Sequence, residues 1–396
     1  MMSKRKEIGL QAIVFSLVWA ALTTIYITQP VLPILQLEFG VDEARASRTV
    51  SAVILGIALA NLPFGILSDR FRIRPIIFLG GVVVSACSAF CATTNSFPVL
   101  VGARFIQGLF IPALTTCLAA FLARTLPIER LNVAMGSYVS ATVAGGLSGR
   151  LLGGWLHPPL HWRYAFISAS LFLFAATCIA TIWLKDEVIR SKHPREPSGF
   201  LKLLSRPDLL RIFSVAFGAY FVFSSTFNYL PFYLAKPPFN TPTHIITLLY
   251  LSYIIGIVTG PIAGGLSNRM GNGAAMSLGS ILFALAIGLT LIKSLVAIAV
   301  GLMMVCAGFF TVHASAAGAL NRKITADRGR ANSLYVLFYY LGGFAGITAS
   351  GWAYLHAGWL GVAGLGILVL GIPFAAGIVE ARQSRAEATQ GASLIK

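Results

Sequence analysis

Long apolar segments separated by short polar gaps run through all 396 residues of the chain. The hydrocarbon core of a bilayer is about 30 Å thick, and an α-helix needs about 20 apolar residues to cross it. The pattern therefore predicts an all-α membrane protein with twelve transmembrane helices. The predicted spans are residues 10–37, 49–68, 76–95, 98–123, 131–156, 162–184, 210–235, 244–267, 273–292, 295–320, 330–354 and 358–379.

The spans form two groups of six, separated by the longest polar segment of the chain. We predict an N-terminal six-helix bundle over 1–184, a linker over 185–209 and a C-terminal six-helix bundle over 210–396. The end of span 2, Gly65-Ile-Leu-Ser-Asp-Arg-Phe71, recurs at the end of span 8 as Gly264-Gly-Leu-Ser-Asn-Arg-Met270. Parallel repeats of this kind, with a substrate site at their interface, are a transporter architecture.

Composition and charge agree with a membrane protein. Hydrophobic residues make up 57% of the chain and charged residues 11%, whereas soluble domains carry about 25% charged residues. If the N-terminus is cytoplasmic, 23 of the 30 lysines and arginines lie on that side, 5 on the other and 2 inside spans. Cytoplasmic loops carry the excess of basic residues, so we predict a bacterial inner-membrane protein with both termini in the cytoplasm. Topology thus accounts for the net charge of +17, and no nucleic-acid partner is predicted.

The first span and the cysteines set further limits. The first apolar segment is too long for the hydrophobic region of a signal peptide, so we expect a retained span. All five cysteines lie inside spans, where they act as small packing residues. Their positions predict neither a disulfide framework nor a metal site, and we expect no cofactor.

The loop between spans 2 and 3 carries the first recognisable motif. The segment Gly65-x-Leu67-Ser-Asp69-Arg70-Phe-Arg72 is similar to the G-x-L-[SA]-D-R-x-G motif of the major facilitator superfamily, with Arg72 in place of the last glycine. This resemblance covers the whole chain and implies two pseudo-symmetric six-helix bundles. It also implies that Gly65, Asp69 and Arg70 form a latch that biases alternating access. The other interpretation is a basic loop that only sets topology.

Span 4 contains Arg104-Phe-Ile-Gln107-Gly108, which resembles the R-x-x-Q-G motif of the same family. A charge at membrane depth costs at least about 2.5–3.5 kcal/mol on insertion scales, so such residues usually have a function. We predict a conformational role for Arg104, Gln107 and Gly108. Because Arg104 lies near one end of its span, its side chain could instead extend to the interface.

Span 5 resembles the antiporter motif G-x8-G-x3-G-P-x2-G-G, which implies export. Its glycines let helices approach closely, and we assign a conformational role to Gly145, Gly149 and Gly153. Packing without any meaning for export is the alternative. The sequence departs from the motif at Arg150, which replaces the proline. The remaining glycines of the motif are Gly136 and Gly154.

Two ionisable residues lie deep inside predicted spans. Span 5 contains no acidic residue near Arg150, so we hypothesise that Arg150 binds anionic or hydroxyl groups of a substrate; bridging of helices is the alternative. His313 in span 10 has an ordinary pKa of about 6.5, which suits a proton carrier. We predict proton coupling and substrate contact for His313, with a packing role as the alternative.

A narrower resemblance, to the YnfM-like branch that is related to sugar-efflux permeases, rests on Tyr26-Ile-Thr-Gln29-Pro, Gly308-Phe-Phe-x-x-His313 and Tyr339-Tyr340-Leu-Gly342. Prolines in spans 1 and 7 free backbone carbonyls and favour a polar lining. The predicted substrate-binding residues are Tyr26, Gln29, Arg150, Asn228, His313, Tyr339 and Tyr340.

We therefore expect a monomeric secondary transporter that exports a small solute, a sugar-like compound or drug, by alternating access with proton antiport. Its partners are the solute, protons and membrane lipid. Spans 1, 4, 7 and 10 lack a mid-membrane Asp or Glu, which leaves import or uniport as alternatives. No P-loop motif occurs, and the two prolines in His157-Pro-Pro-Leu-His161 argue against an intramembrane metalloenzyme.

Overall fold

The computed structural model describes residues 4–126, 128–157, 159–184, 198–324 and 328–393. All regular elements within these residues are helices, which confirms the predicted all-α class. In chain order the α-helices are α1 (Lys4–Thr23), α2 (Leu32–Phe39), α3 (Glu43–Ala46), α4 (Arg48–Arg70), α5 (Ile73–Thr93), α6 (Phe97–Leu114), α7 (Thr116–Thr125), α8 (Ile128–Trp155), α9 (Arg163–Trp183), α10 (Ser198–Leu204), α11 (Pro207–Ala235), α12 (Thr243–Leu249), α13 (Tyr253–Met270), α14 (Asn272–Leu289), α15 (Leu295–Lys323) and α16 (Arg328–Ser393).

Helix length and apolar composition identify some, but not all, of the twelve predicted membrane crossings. Within the described ranges, nine helical stretches are long and apolar enough to cross a membrane. The last of them belongs to α16, which is interrupted at Ala357 and Gly358, where Gly358 has a φ of 57°. Glycine tolerates this left-handed conformation because it has no Cβ. The interruption coincides with the predicted gap between spans 11 and 12, and the total of twelve spans stays a prediction.

The chain divides into two compact units, one of residues 1–195 and 240–251 and one of residues 196–239 and 252–396. Of the predicted linker, residues 185–197 lie outside the described residues, and residues 198–204 form α10. The predicted bundle boundaries stay a prediction.

Span 1 is broken near its middle. Helix α1 ends at Thr23, a 3₁₀ turn covers Gln29–Val31, and α2 begins at Leu32. Pro30 lies inside the turn and lacks the N–H that a continuous helix would use. Backbone carbonyls between Thr23 and the turn therefore lose their helical partners, and in a membrane they need other donors.

A row of glycines brings α8 into backbone contact with span 1. Gly145 and Gly149 lie four residues apart and face the carbonyl oxygens of Trp19 and Thr23. A Cβ atom at Gly145 would lie 2.5 Å from the Trp19 oxygen, and one at Gly149 would lie 2.1 Å from the Thr23 oxygen. Gly153 continues the row in the same way, so the backbone of α8 contacts the backbone of span 1 at all three glycines.

The second unit repeats this packing between α16 and α11. A Cβ at Gly342 would lie 2.1 Å from the carbonyl oxygen of Phe217, and a Cβ at Gly346 would lie 2.3 Å from that of Phe221. Spans 5 and 11 therefore use glycines at the same four-residue spacing to approach the first span of their own half.

Replacement of Gly149 by alanine should lower the thermal unfolding midpoint of the purified protein in detergent. The new methyl group would overlap the Thr23 carbonyl, and overpacking of this kind costs about 1–3 kcal/mol. The matched control is Gly102→Ala in α6, where a Cβ meets no atom within 4 Å and alanine improves helix propensity. Equal midpoints for the two variants would contradict close α8 packing.

Candidate substrate-binding site

Arg150 on α8 is the centre of a polar site in the first unit. Its side chain is buried, with 3% of the residue exposed. Its Nε donates a hydrogen bond to Oε1 of Gln29 at 2.7 Å, and its Nη1 donates to the carbonyl oxygen of Gly146 at 2.7 Å. Gln29 reaches the guanidinium because it lies in the 3₁₀ turn at the break of span 1.

Two tyrosines also contact Arg150. The guanidinium carbon lies over the ring of Tyr26 at 3.9 Å from its centroid and over the ring of Tyr250 at 5.5 Å. Cation–π contacts of this kind are strengthened when the cation is shielded from water. We call Tyr26, Gln29, Arg150 and Tyr250 the Arg150 clamp.

The clamp joins three residues predicted from sequence with one that was missed. The break in span 1 places Tyr26 and Gln29 beside Arg150. Tyr250 directly follows α12, whose residues pack with the first unit although they come from the second half of the chain. A Cβ at Gly154 would lie 1.8 Å from Oγ1 of Thr247, so a glycine allows the close approach of α12 to α8.

Arg104 supports the break that forms the clamp. It is fully buried, and its guanidinium donates to the carbonyl oxygens of Thr24 at 2.7 Å, Thr49 at 2.9 Å and Ile25. Its Nη1 also donates to Oε1 of Gln107. Arg104 therefore lies inside the unit, where it satisfies the Thr24 and Ile25 carbonyls of the break and also contacts Thr49 in α4. Gly108, the last residue of the motif, would place a Cβ 2.2 Å from the carbonyl oxygen of Val53.

The predicted latch lies at the end of α4. Gly65 has room for a Cβ, with Cγ2 of Thr116 at 3.9 Å, and Arg70 is exposed. The side chain of Asp69 lies outside the described part of the chain. The gating role of these residues stays a prediction.

The candidate residues of the second unit lie in a cluster of aromatic rings. Nδ1 of His313 lies 3.0 Å from the hydroxyl oxygen of Tyr335, and the imidazole stacks on Phe309 with centroids 5.8 Å apart. Tyr339 stacks on Tyr220 at 3.8 Å. The cluster therefore contains a titratable ring held by a phenol.

Two other predicted residues lie near this aromatic cluster or on one of its helices. The ring of Tyr340 meets that of Tyr339 edge to face at 5.2 Å. Asn228 is fully buried on α11, about two helical turns after Tyr220 in sequence order. Both residues belong to the second unit, as His313 does.

An ion pair with a buried carboxylate in the second unit was not predicted. Nζ of Lys323, at the end of α15, lies 2.9 Å from Oε1 of Glu380 on α16. Glu380 is only 7% exposed. In the sequence Glu380 directly follows the last apolar segment. This position at the end of a span was the one feature from which a partner for Glu380 could have been expected.

The two histidines that flank the prolines lie after α8 and do not share a helix face. Nε2 of His161 lies 3.5 Å from Oε2 of Glu38, which also pairs with Arg163 at 3.0 Å. Burial lowers the pKa of His157, the nearby His161 lowers it further, and Glu38 opposes the shift. Within the described residues, no group of three or more His, Cys, Asp or Glu side chains is arranged to hold a metal ion.

Comparison with known proteins assigns the family. The model of the Major Facilitator Superfamily matches residues 14–271, and the chain belongs to this superfamily. The chain is 29% identical over 371 residues to the inner membrane transport protein YnfM of Escherichia coli K12, covering 92% of this chain and 88% of that protein. The predicted family is thus confirmed.

Solved structures show the same fold. One is a bacterial homologue of the human lysosomal transporter Spinster, with a TM-score of 0.76, 14% identity and coverage of 96% of this chain and 98% of that one. Another is the nucleoside transporter NupG, with a TM-score of 0.77, 13% identity and coverage of 94% and 98%. The protein is accordingly a multi-pass membrane transporter of a small molecule and not an enzyme.

Replacement of Arg104 by lysine should lower the thermal unfolding midpoint in detergent. A lysine ammonium cannot reach the Thr24, Ile25 and Thr49 carbonyls together as the planar guanidinium does. Each buried carbonyl left without a donor costs about 1–3 kcal/mol. Arg72→Lys, at an exposed position, is the control. If both variants unfold at the wild-type temperature, Arg104 does not stabilise the break.

Proposed function

We propose that this protein is a secondary active transporter that exports a small solute, a sugar-like compound or a drug, in exchange for protons. It lies in the bacterial inner membrane as a monomer with cytoplasmic termini. The observation that carries this proposal is the Arg150 clamp, a buried cation at the break of a transmembrane segment. Charged groups at membrane depth usually mark a transport pathway.

The broken span 1 suits a binding role for physical reasons. Irregular backbone at membrane depth is tolerated where it is buried in protein or lines a cavity. Discontinuous helices near the midplane form substrate sites in many transporters. Gln29 and Tyr26 lie on such a break, and Arg150 approaches it from α8.

The direction of transport rests on the resemblance of span 5 to the antiporter motif. The glycines of that motif pack α8 on span 1, and the glycines of α16 pack in the same way on α11. Glycines at this spacing therefore serve helix packing in both units, and packing alone does not set the direction of transport. Import by the same fold is the competing proposal.

Proton coupling is assigned to His313 because its imidazole is held by a defined partner. The Tyr335 hydroxyl lies 3.0 Å from Nδ1 and fixes the orientation of the ring. A free imidazole has a pKa of about 6.5, which suits histidine as a proton carrier. In this proposal, His313 takes up and releases one proton during each transport cycle. Tyr339 and Tyr340 contribute contacts to the substrate.

Proton movement in inverted membrane vesicles tests the proposed function. Vesicles that contain the protein are given a pH-sensitive dye and then sugars, sugar alcohols or lipophilic drugs. We expect one class of compound to release protons from energised vesicles, with no release in vesicles that lack the protein. Counterflow of a labelled solute without proton movement would favour uniport, and neither signal with inserted protein would contradict the proposal.

Replacement of His313 by glutamine should separate coupling from exchange. We expect solute-dependent proton movement to be lost, because glutamine does not titrate, while counterflow of the same solute continues. His356→Gln is the matched control, since His356 is an exposed histidine in the same unit. Unchanged proton movement in His313→Gln would remove this residue from the coupling mechanism.

A further inference from the structure

The loop between α4 and α5 lies at a surface of the membrane. The apolar stretch Glu43–Ser68 ends just before it, and the stretch Ile73–Thr93 begins just after it. Both stretches are long enough to cross the bilayer, and only residues 69–72 connect them. A connection of four residues is too short to leave the headgroup region. We call residues 70–72 the 70–72 loop.

The side chains of the 70–72 loop combine two cations with an exposed aromatic ring. Phe71 is 56% exposed and lies between Arg70 and Arg72 in sequence, which are both exposed as well. Segments that lie on a lipid surface combine basic side chains with Trp, Phe or Leu in this way. Topology requires the positive charges but not the exposed ring, so the ring is the observation that points to lipid contact.

Hydrogen bonds at the helix ends hold the 70–72 loop in place. The backbone N of Phe71 donates to the carbonyl oxygen of Leu67 at 2.9 Å and closes α4. Nε of Arg74 donates to the carbonyl oxygen of Thr181 at 2.8 Å and attaches the start of α5 to the last turn of α9. Trp183 ends α9 and is 71% exposed. Exposed tryptophans at span ends are typical of the membrane interface, so α9 ends at the same surface.

The charge of this segment is positive and exceeds that of the family motif. Residues 69–74 contain three arginines and one aspartate, a net charge of +2. Arg72 occupies the position at which the motif has glycine, so one positive charge is an addition. Basic residues next to a membrane helix attract anionic lipids, and each contributes about fivefold in affinity.

We propose that the 70–72 loop binds the headgroup of an anionic phospholipid. The guanidinium groups of Arg70 and Arg72 bind the lipid phosphate, because a guanidinium can donate two parallel hydrogen bonds to phosphate oxygens. The ring of Phe71 enters the lipid beside the headgroup. This inference goes beyond the proposed function and does not depend on which solute is transported.

Two phospholipids test the proposal on the purified full-length protein in detergent micelles. Phosphatidylglycerol and phosphatidylcholine both carry one phosphate, but only phosphatidylglycerol has a net negative charge. We expect phosphatidylglycerol to raise the thermal unfolding midpoint at an about tenfold lower lipid fraction, and we expect added salt to weaken this effect. Equal effects of the two lipids contradict the proposal. Equal stabilisation by soluble glycerol phosphate would reveal a site for a free anion and would overturn the lipid assignment.

Variants assign the effect to the loop. Arg72→Gln should require an about fivefold higher fraction of phosphatidylglycerol. Arg72→Lys should lie between, because it keeps the charge and loses the planar donor edge. Arg45→Gln is the control, since Arg45 lies at the other end of the same apolar stretch and is paired with Asp42 at 3.4 Å. Coincident phosphatidylglycerol titrations of Arg72→Gln and wild type overturn the assignment.

The contribution of the ring has a test of its own. Phe71→Ser should weaken the effects of both phospholipids, because the apolar contact is lost whatever the charge of the headgroup. Stabilisation by both lipids that equals the wild-type effect would remove Phe71 from the site. Midpoints in lipid-free micelles show whether each variant is folded before lipid is added.

Photoreactive phosphatidylglycerol keeps the proposal testable without any variant. In wild-type protein, mass spectrometry should find crosslinks in the peptide that contains residues 69–74. Crosslinks confined to other parts of the chain overturn the proposal. Proton movement in vesicles tests the transporter and not this loop. A failed transport assay therefore leaves the lipid site in place, and a failed lipid assay leaves the proposed function in place.

Discussion

The break in span 1 is the constraint on which the first unit depends. A transmembrane segment must satisfy its backbone carbonyls without water, and Pro30 prevents a continuous helix from doing so. Arg104 supplies the missing donors to Thr24 and Ile25 from α6. The interruption is thus stabilised from a neighbouring helix, and the residues beyond it can point toward α8.

The two buried arginines of this unit have different surroundings and different consequences. Arg104 donates to the Thr24 and Ile25 carbonyls that follow α1 and to the Thr49 carbonyl in α4, and the partial negative charges of these peptide groups balance a cation. Arg150 contacts one backbone carbonyl, an amide and aromatic faces. Carbonyl ligation fits a structural role for Arg104, and the aromatic surroundings of Arg150 fit a ligand-binding role.

Much of the fold could be predicted from sequence, because lipid imposes simple rules. Membrane thickness sets the length and apolar composition of the spans. The glycine spacing of α8 marks the side on which another helix backbone can approach closely. The depth of Arg150 was visible for the same reason, whereas Arg104 lies near one end of its predicted span and the sequence left its depth open. Hydrophobicity patterns indicate which residues lie in the membrane, but they do not indicate which side chains contact each other.

The residues that were missed depend on contacts between distant parts of the chain. Tyr250 lies 100 positions after Arg150, in a segment with no polar signal of its own, and α12 brings it to the first unit. The Lys323 and Glu380 pair joins the ends of two helices, and each residue alone resembles a charge at the edge of a span. Pairings of this kind follow from packing, which a single sequence does not contain.

The arginine that departs from the antiporter motif connects packing with binding. Proline at this position would kink α8, whereas arginine keeps the helix regular and adds a charge at the same point. Gly149, one residue earlier, has its backbone against span 1. Backbone contact at Gly145, Gly149 and Gly153 therefore fixes the distance between α8 and span 1, and the Arg150 side chain extends from this contact to Gln29 at the break.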